Sequence, residues 1–463
     1  MQQHTDTNTE HREYAGASLT STTRGENVQQ HTDNATMAST TTLTALPAEM
    51  LAAVAEQAEP RDLLALRLAC RDVSAAAFES FIKAFFTKRS HLYTSYGLQS
   101  LLDISAQPHL MKRIEEIEIV SVRPRDVADR VRYLVLRSTG PEFRTTPKIE
   151  QSGVEVRRRW TQEDVELREK SKDSLMKIFS SLRGLGVAPD VTVSIGVEMA
   201  VHCFGFASLR RSLGPLVEDF DFGEGDHWHL VPAVLTSIAM TRYPLQRLAL
   251  CKGARDRGLT QESFGRCASL PVLVSAPLAS LSSLTLHIDV DTFYSVSGKA
   301  ARDITSLFSR ATMLKDITAI ATILSPDVVV EGDALDQLTK GFATNALNSI
   351  KLCYFSTVVR SYTDFLENFR ASIKNLTLVD NCVDYDECWS TVFVWLAENV
   401  ELEVLHMRGL RKAYGRLLLH DRKPVDCVFE GAAAVREGLH LMAQAPEYQD
   451  QDVSEDGSED EDP

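Results

Sequence analysis

A chain of 463 residues, 44% hydrophobic and 7% aromatic, describes an ordinary globular body with room for roughly two to four domains. Its formal charge is −15, but the last eighteen residues hold nine acids and no base, and the remaining −15 + 9 = −6 does not favour nucleic acid or an anionic membrane as partner through bulk electrostatics. Eight cysteines without a CxxC pair, no apolar N-terminal run and no stretch near the roughly 18 apolar residues that span a bilayer predict reduced thiols in a soluble protein of the cytoplasm, the nucleus or both.

Residues 1–42 are polar and nearly free of large apolar side chains, so no burial offsets their chain entropy and disorder is expected. "QQHTD" occurs there twice, at 2–6 and 29–33, and Met37 offers a second start that would cost folding nothing. Three short amphipathic helices are predicted over 43–88. Pro47 suits a first helical turn, where its missing N–H would be unpaired in any case, and Met50, Leu51 and Val54 follow on one stripe. Asp62 is placed to cap a second helix carrying Leu63, Leu66 and Leu68. Phe78, Phe81, Ile82 and Phe85 repeat at i, i+3, i+4, i+7 and mark a third. So small a bundle buries too little apolar surface to stand alone and must lean on the rest of the chain, on another protein, or on both.

The pattern Leu46-Pro47-x-Glu49-x-Leu51, followed by Asp62-Leu63-Leu64-x-Leu66-Arg67-Leu68-x-Cys70-Arg71, resembles the F-box, the motif that docks on the Skp adaptor of Skp–cullin–F-box ubiquitin ligases. Val73 stands where that family often has Trp. The stretch behind it, "GLQSLLDISAQPHLMKRIEEIEI" at 97–119, resembles the segment after the F-box in many filamentous-fungal F-box proteins. The resemblance implies adaptor contact through Leu46, Pro47, Leu51, Leu63, Leu66 and Leu68, some of them serving as internal core instead. It also implies a cullin reached through the adaptor, and a protein target. The alternative is a generic leucine-rich helical bundle.

Residues 89–240 read as a connecting region of helix and strand. Thr161-x-x-Asp164 has the form of a capping box opening a helix towards Leu182, and "VTVSIGV" at 191–197 alternates like a strand. Arg157-Arg158-Arg159-Trp160 has the chemistry of a nucleic-acid contact, but the acids at 163, 164 and 166 favour a solvated loop. Over 241–445 a frame recurs: "LQRLAL" (245–250), "LSSLTL" (281–286), "LKDITA" (314–319), "LNSIKL" (347–352), "IKNLTL" (373–378) and "LEVLHM" (402–407). The central residues Leu248, Leu284, Ile317, Ile350, Leu376 and Leu405 are 36, 33, 33, 26 and 29 apart, which leaves room for a helix in each return. "SYTDFLENFRASI" (361–373) fits one such helix, and Ile114-x-x-Ile117-x-Ile119 fits the frame earlier in the chain. These fragments resemble the strands of leucine-rich repeats, with the usual Asn present only intermittently; unrelated strands of an α/β domain are the other reading. The expected fold is therefore α/β: a three-helix F-box, then an irregular leucine-rich-repeat-like solenoid, between disordered termini.

Little in the sequence points to catalysis. Asp221-Phe222-Gly223 lacks the catalytic loop and glycine-rich loop that a kinase needs. His227-Trp228-His229, read as a strand, puts two imidazoles on one side with no third ligand near, and a surface loop is favoured. Cys382 and Cys388 alone do not make a zinc site, and no GxSxG or Walker pattern occurs. No catalytic residue, metal ligand or cofactor is expected. The tail, 446–463, holds Ser454 and Ser458 among acids, which suits an acidophilic kinase; a merely solubilising tail is the other reading. The functional expectation is a non-catalytic substrate receptor of a Skp–cullin–F-box ligase. Its rivals are an adaptor-binding scaffold outside a cullin complex, a plain repeat interaction protein, and an enzyme whose site is assembled from scattered residues.

Overall fold

A computed structural model of the chain describes residues 43–124, 147–195, 203–213, 222–224, 227–253, 258–270, 278–290, 299–322, 333–342, 346–384, 387–412, 415–416 and 426–444. After a single 3-10 turn, Leu43–Ala45, helix α1 (Ala48–Gln57) opens behind Pro47, whose carbonyl accepts from the amides of Met50 and Leu51. Helix α2 (Pro60–Ala69) starts on Pro60, so Asp62 lies inside the first turn instead of capping it: a proline with its φ preset begins the helix before the acid is reached. Cys70, extended at φ −159° and ψ 171°, ends α2 and begins α3 (Arg71–Ala76).

The third predicted helix, with Phe78, Phe81, Ile82 and Phe85, is α4 (Phe78–Phe86), and α3, a further short helix, precedes it and meets it at Ala77. Ala77 donates to the Val73 carbonyl and Phe81 donates to that of Ala77, so the hydrogen-bond chain runs through the slack turn. The three-helix expectation thus becomes four helices. They enclose a small core of their own, Ala55, Leu63 and Ala77, with Ala58, Leu66 and Phe85 around it. Arg67 ties the segments together: its Nη1 donates to both the carbonyl and the hydroxyl of Ser74 at 2.9 Å, and its guanidinium lies over the rings of Phe78 (5.0 Å) and Phe81 (5.1 Å).

Behind the block come β1 (Lys88–Leu92), α5 (Ser95–Ser105), α6 (Pro108–Met111), β2 (Glu116–Val120), β3 (Val122–Pro124), α7 (Pro147–Gly184), β4 (Asp190–Ser194), α8 (Phe206–Leu213), β5 (Phe222–Glu224) and α9 (His227–Thr241). Then follow β6 (Arg247–Lys252), α10 (Gln261–Ala268), β7 (Ser283–Asp289), α11 (Lys299–Phe308), β8 (Asp316–Thr322), α12 (Asp333–Phe342), β9 (Ser349–Cys353), β10 (Ser356–Thr357) and α13 (Val359–Glu367). The chain closes with β11 (Asn375–Val379), β12 (Cys382–Val383), α14 (Trp389–Asn399), β13 (Val404–Arg408), β14 (Arg411–Lys412), β15 (Gly415–Arg416), β16 (Asp426–Glu430) and α15 (Ala432–Gln444). The molecule is mixed α/β.

All six predicted frames become strands of one ten-stranded sheet, ordered β1-β2-β4-β6-β7-β8-β9-β11-β13-β16. Spatial order follows chain order. Every neighbouring pair is parallel except the last, β13 with β16. Parallel neighbours need a long crossover, and helices supply it. Ile117, Val191, Leu248, Leu284, Ile317, Ile350, Leu376 and Leu405 are register partners strand after strand, and none is more than 2% exposed. A one-residue slip anywhere would turn its strand's apolar set to the open face, so this row fixes the register. The crossover helices pack on it: Leu338, Tyr362, Phe365, Phe393 and Leu396 belong to the same continuous core.

Each of the later strands ends in a sharp turn. Tyr354, Asp380 and Gly409, directly after β9, β11 and β13, have φ of 64°, 51° and 62°. Gly409 is required there, since a Cβ would sit 2.2 Å from Asp380 Oδ1. Next to this turn Asn381, fully buried, accepts from the Phe355 amide (2.9 Å) and donates to the Leu352 carbonyl (3.0 Å). Thr322 does similar work with one hydroxyl, accepting from Gly258 N–H and donating to Ile288. A second sheet, β10-β12-β14-β15, follows these turns, and a separate pair, β3-β5, is formed by strands earlier in the chain.

Three readings of the middle region are overturned. Thr161 lies inside α7, a 38-residue helix running from Pro147, because Leu167, Leu175, Ile178, Phe179 and Leu182 bury one continuous stripe against the core. Glu163 is instead the acceptor for the Ser95 amide at the start of α5. Arg157, Arg158 and Arg159 are on the same helix, not in a loop. His227 and His229 open α9, a helix and neither a strand nor a loop. Residues 1–42 and 446–463 lie outside the described residues, as do Ser454 and Ser458. No helix among the described residues is long and apolar enough to cross a membrane.

Candidate functional site

On a short helix the side that faces a core is normally the more apolar one. In α1 both sides carry apolar residues. Leu51 and Ala55 are buried, while Met50 and Val54 are 53% and 42% exposed. In α2, Leu63 is buried and Leu64 and Leu68 are 46% and 87% exposed. Between the two helices runs an open groove of about 820 Å3, lined by Met50, Ala53 and Val54 from α1 and Ala65, Leu66 and Ala69 from α2. Gln57, Ala58 and Asp62 line it as well. A solvent-facing apolar groove on a separately cored block has the composition of a contact surface.

The six motif residues divide. Leu51 and Leu63 are core and hold the groove from beneath; Leu66 is half-buried and lines it. Leu68 is almost fully exposed, Pro47 is exposed, and Leu46 is half-buried at the start of α1. Met50 and Val54 were legible as a stripe but not as its outward side. Ala53, Ala65 and Ala69 gave no signal, since small side chains line a groove by what they leave open.

A polar assembly lies on the sheet face opposite Ile117 and Ile119. Glu118 is fully buried and accepts from Ser90 Oγ (2.7 Å) and Ser194 Oγ (2.6 Å), with Lys88 Nζ at 3.3 Å. It thereby joins β1, β2 and β4. Burial alone would push this carboxyl up; the hydroxyls of Ser194 and Ser90 and the charge of Lys88 outweigh it and hold it below the ordinary 4.5. His91, also fully buried, is pushed down to about 3 by burial and by Arg89, while its Nδ1 lies 3.1 Å from the Gly97 carbonyl. Burial, then the charge of Glu118, pushes Cys203 up to about 12, so it is a thiol near neutral pH and no nucleophile. Among the described residues no group of three His, Cys, Asp or Glu is placed to hold a metal ion.

These groups set a pH response. In the interval from 6.5 down to about 3 the unfolded chain binds the His91 proton and the folded chain does not, so stability falls as pH falls. Glu118 stabilises fully above 4.5 and loses its contribution as pH drops below that value. Thermal melts should therefore fall steadily from pH 7 to pH 4. A His91→Asn variant, whose amide can still donate to Gly97, should show a shallower decline above pH 4.5. An unchanged slope would remove His91 as a cause. Compared with known proteins, no protein-family model matches this chain, and no curated protein matches it.

Proposed function

We propose that the chain is a substrate receptor of a Skp–cullin–F-box ubiquitin ligase. The observation that carries this reading is the apolar groove between α1 and α2, on a block with its own core and with the Leu46–Arg71 pattern running through it. The block would dock on a Skp-type adaptor and, through it, on a cullin. The in-order parallel strands with a helix in each return support reading the remainder as degenerate leucine-rich repeats, a rigid extended surface for a protein target. The receptor performs no chemistry of its own in this scheme. It holds target lysines near a charged conjugating enzyme, and proximity raises the rate of transfer.

Affinity purification of the full chain from proteasome-inhibited cells, followed by mass spectrometry, tests it. Adaptor and cullin together are expected, with a target beside them. Adaptor without cullin would favour a scaffold outside the ligase; neither would end the receptor reading.

A further inference from the structure

Phe86 ends α4 and Lys88 begins β1, so one residue, Thr87, joins the helical block to the sheet. A segment from more than a hundred positions later closes this junction. Phe204 donates its amide to the Ser90 carbonyl (2.9 Å) and accepts from the Leu92 amide (3.0 Å), so the segment runs beside β1 on the edge away from β2. Gly205, at φ +102° and with its would-be Cβ 3.4 Å from Gly97 Cα, permits the close pass.

Arg89 sits between the two parts. Its guanidinium lies 4.9 Å from the Phe86 ring on the block's side and 5.6 Å from the Phe204 ring on the sheet's side. Its Nη1 donates to the Phe85 carbonyl at 2.8 Å, which occupies the end of α4. Phe204 is itself backed by Tyr96, parallel within 8° at 6.1 Å, and by His91 at 5.5 Å. A planar guanidinium that meets two rings and a carbonyl is held at three points.

We propose that Arg89 and Phe204 are positioning residues that hold the helical block at one orientation to the sheet. The block and sheet then move as one body, and the groove keeps a constant bearing on the open sheet face. The consequence for ubiquitin transfer, a fixed offset between target and conjugating enzyme, rests on the receptor reading; the positioning does not.

The test uses the full chain with p-acetylphenylalanine in place of Glu59, just before α2, and Lys177 on α7, both exposed, and nitroxides attached through the ketone so that the cysteines are untouched. Pulsed dipolar spectroscopy should give one narrow distance. Phe204→Ala should broaden it, because loss of a partly desolvated cation–π contact raises the detached population by roughly tenfold. Phe204→Tyr, which keeps the ring, should restore the narrow distribution. If Phe204→Ala does not fold, Arg89→Lys supplies the same reading by keeping the charge and losing the plane. A broad distribution in the native chain, or equal widths in native and variant, overturns the proposal. Neither adaptor nor target is in the sample, so a failed adaptor capture leaves this inference standing, and its own failure leaves the receptor reading intact.

Discussion

Met50→Asp combined with Val54→Asp should abolish capture of a Skp-type adaptor while leaving the melting temperature nearly unchanged. Both side chains are about half exposed and belong to the groove, not to the core beneath it. A carboxylate forced into an apolar contact costs about 3 kcal/mol or more, which weakens binding by two orders of magnitude or more. Leu63→Ala should behave differently. Leu63 is 3% exposed, so its truncation costs about 2–5 kcal/mol of stability before any partner is present. Titration calorimetry with purified adaptor, beside thermal melts of each variant, separates the two effects. A soluble, native-like Met50→Asp/Val54→Asp variant that binds adaptor normally would remove the groove from the docking surface.

The second large effect is expected at Asn381. Replacing it with Leu preserves volume and apolarity yet strands two buried backbone groups, the Phe355 amide and the Leu352 carbonyl. Each stranded group costs about 1–3 kcal/mol, so a loss of about 2–6 kcal/mol is expected in urea unfolding. Asn381→Asp keeps the acceptor and loses the donor, and should fall between. A cost under about 1 kcal/mol for the Leu variant would mean that water or a rearranged turn satisfies both groups.

The contrast between these sites explains which parts of the fold were legible. The strands β6, β7, β8, β9, β11 and β13 were readable because parallel pairing repeats one buried position, and that row appears in sequence as Leu248, Leu284, Ile317, Ile350, Leu376 and Leu405. Ile117 and Val191 extended it for the same reason. β1 was not readable. In "KRSHL" the position beside Ile117 is Arg89, and Ser90 donates to Glu118, so polar residues of β1 interrupt the apolar row and its partner strand lies 28 residues away. α7 was shortened because Thr161 mimics a cap when neighbours in space are unknown. The groove was half legible: Met50 and Val54 stood out as apolar, but the buried side of α1 uses Ala55, whose small side chain gives little contrast. Which stripe faces inward was decided by the third and fourth segments, not by α1 itself.

One consequence follows from the way the sheet stops. Among the described residues β16 pairs only with β13, and it reads Asp426-Cys427-Val428-Phe429-Glu430. If two molecules met edge to edge in antiparallel fashion about Val428, Asp426 of each would stand directly opposite Glu430 of the other. Like charges in that position repel. The last strand thus works as a terminator that discourages two chains from joining into a fibre.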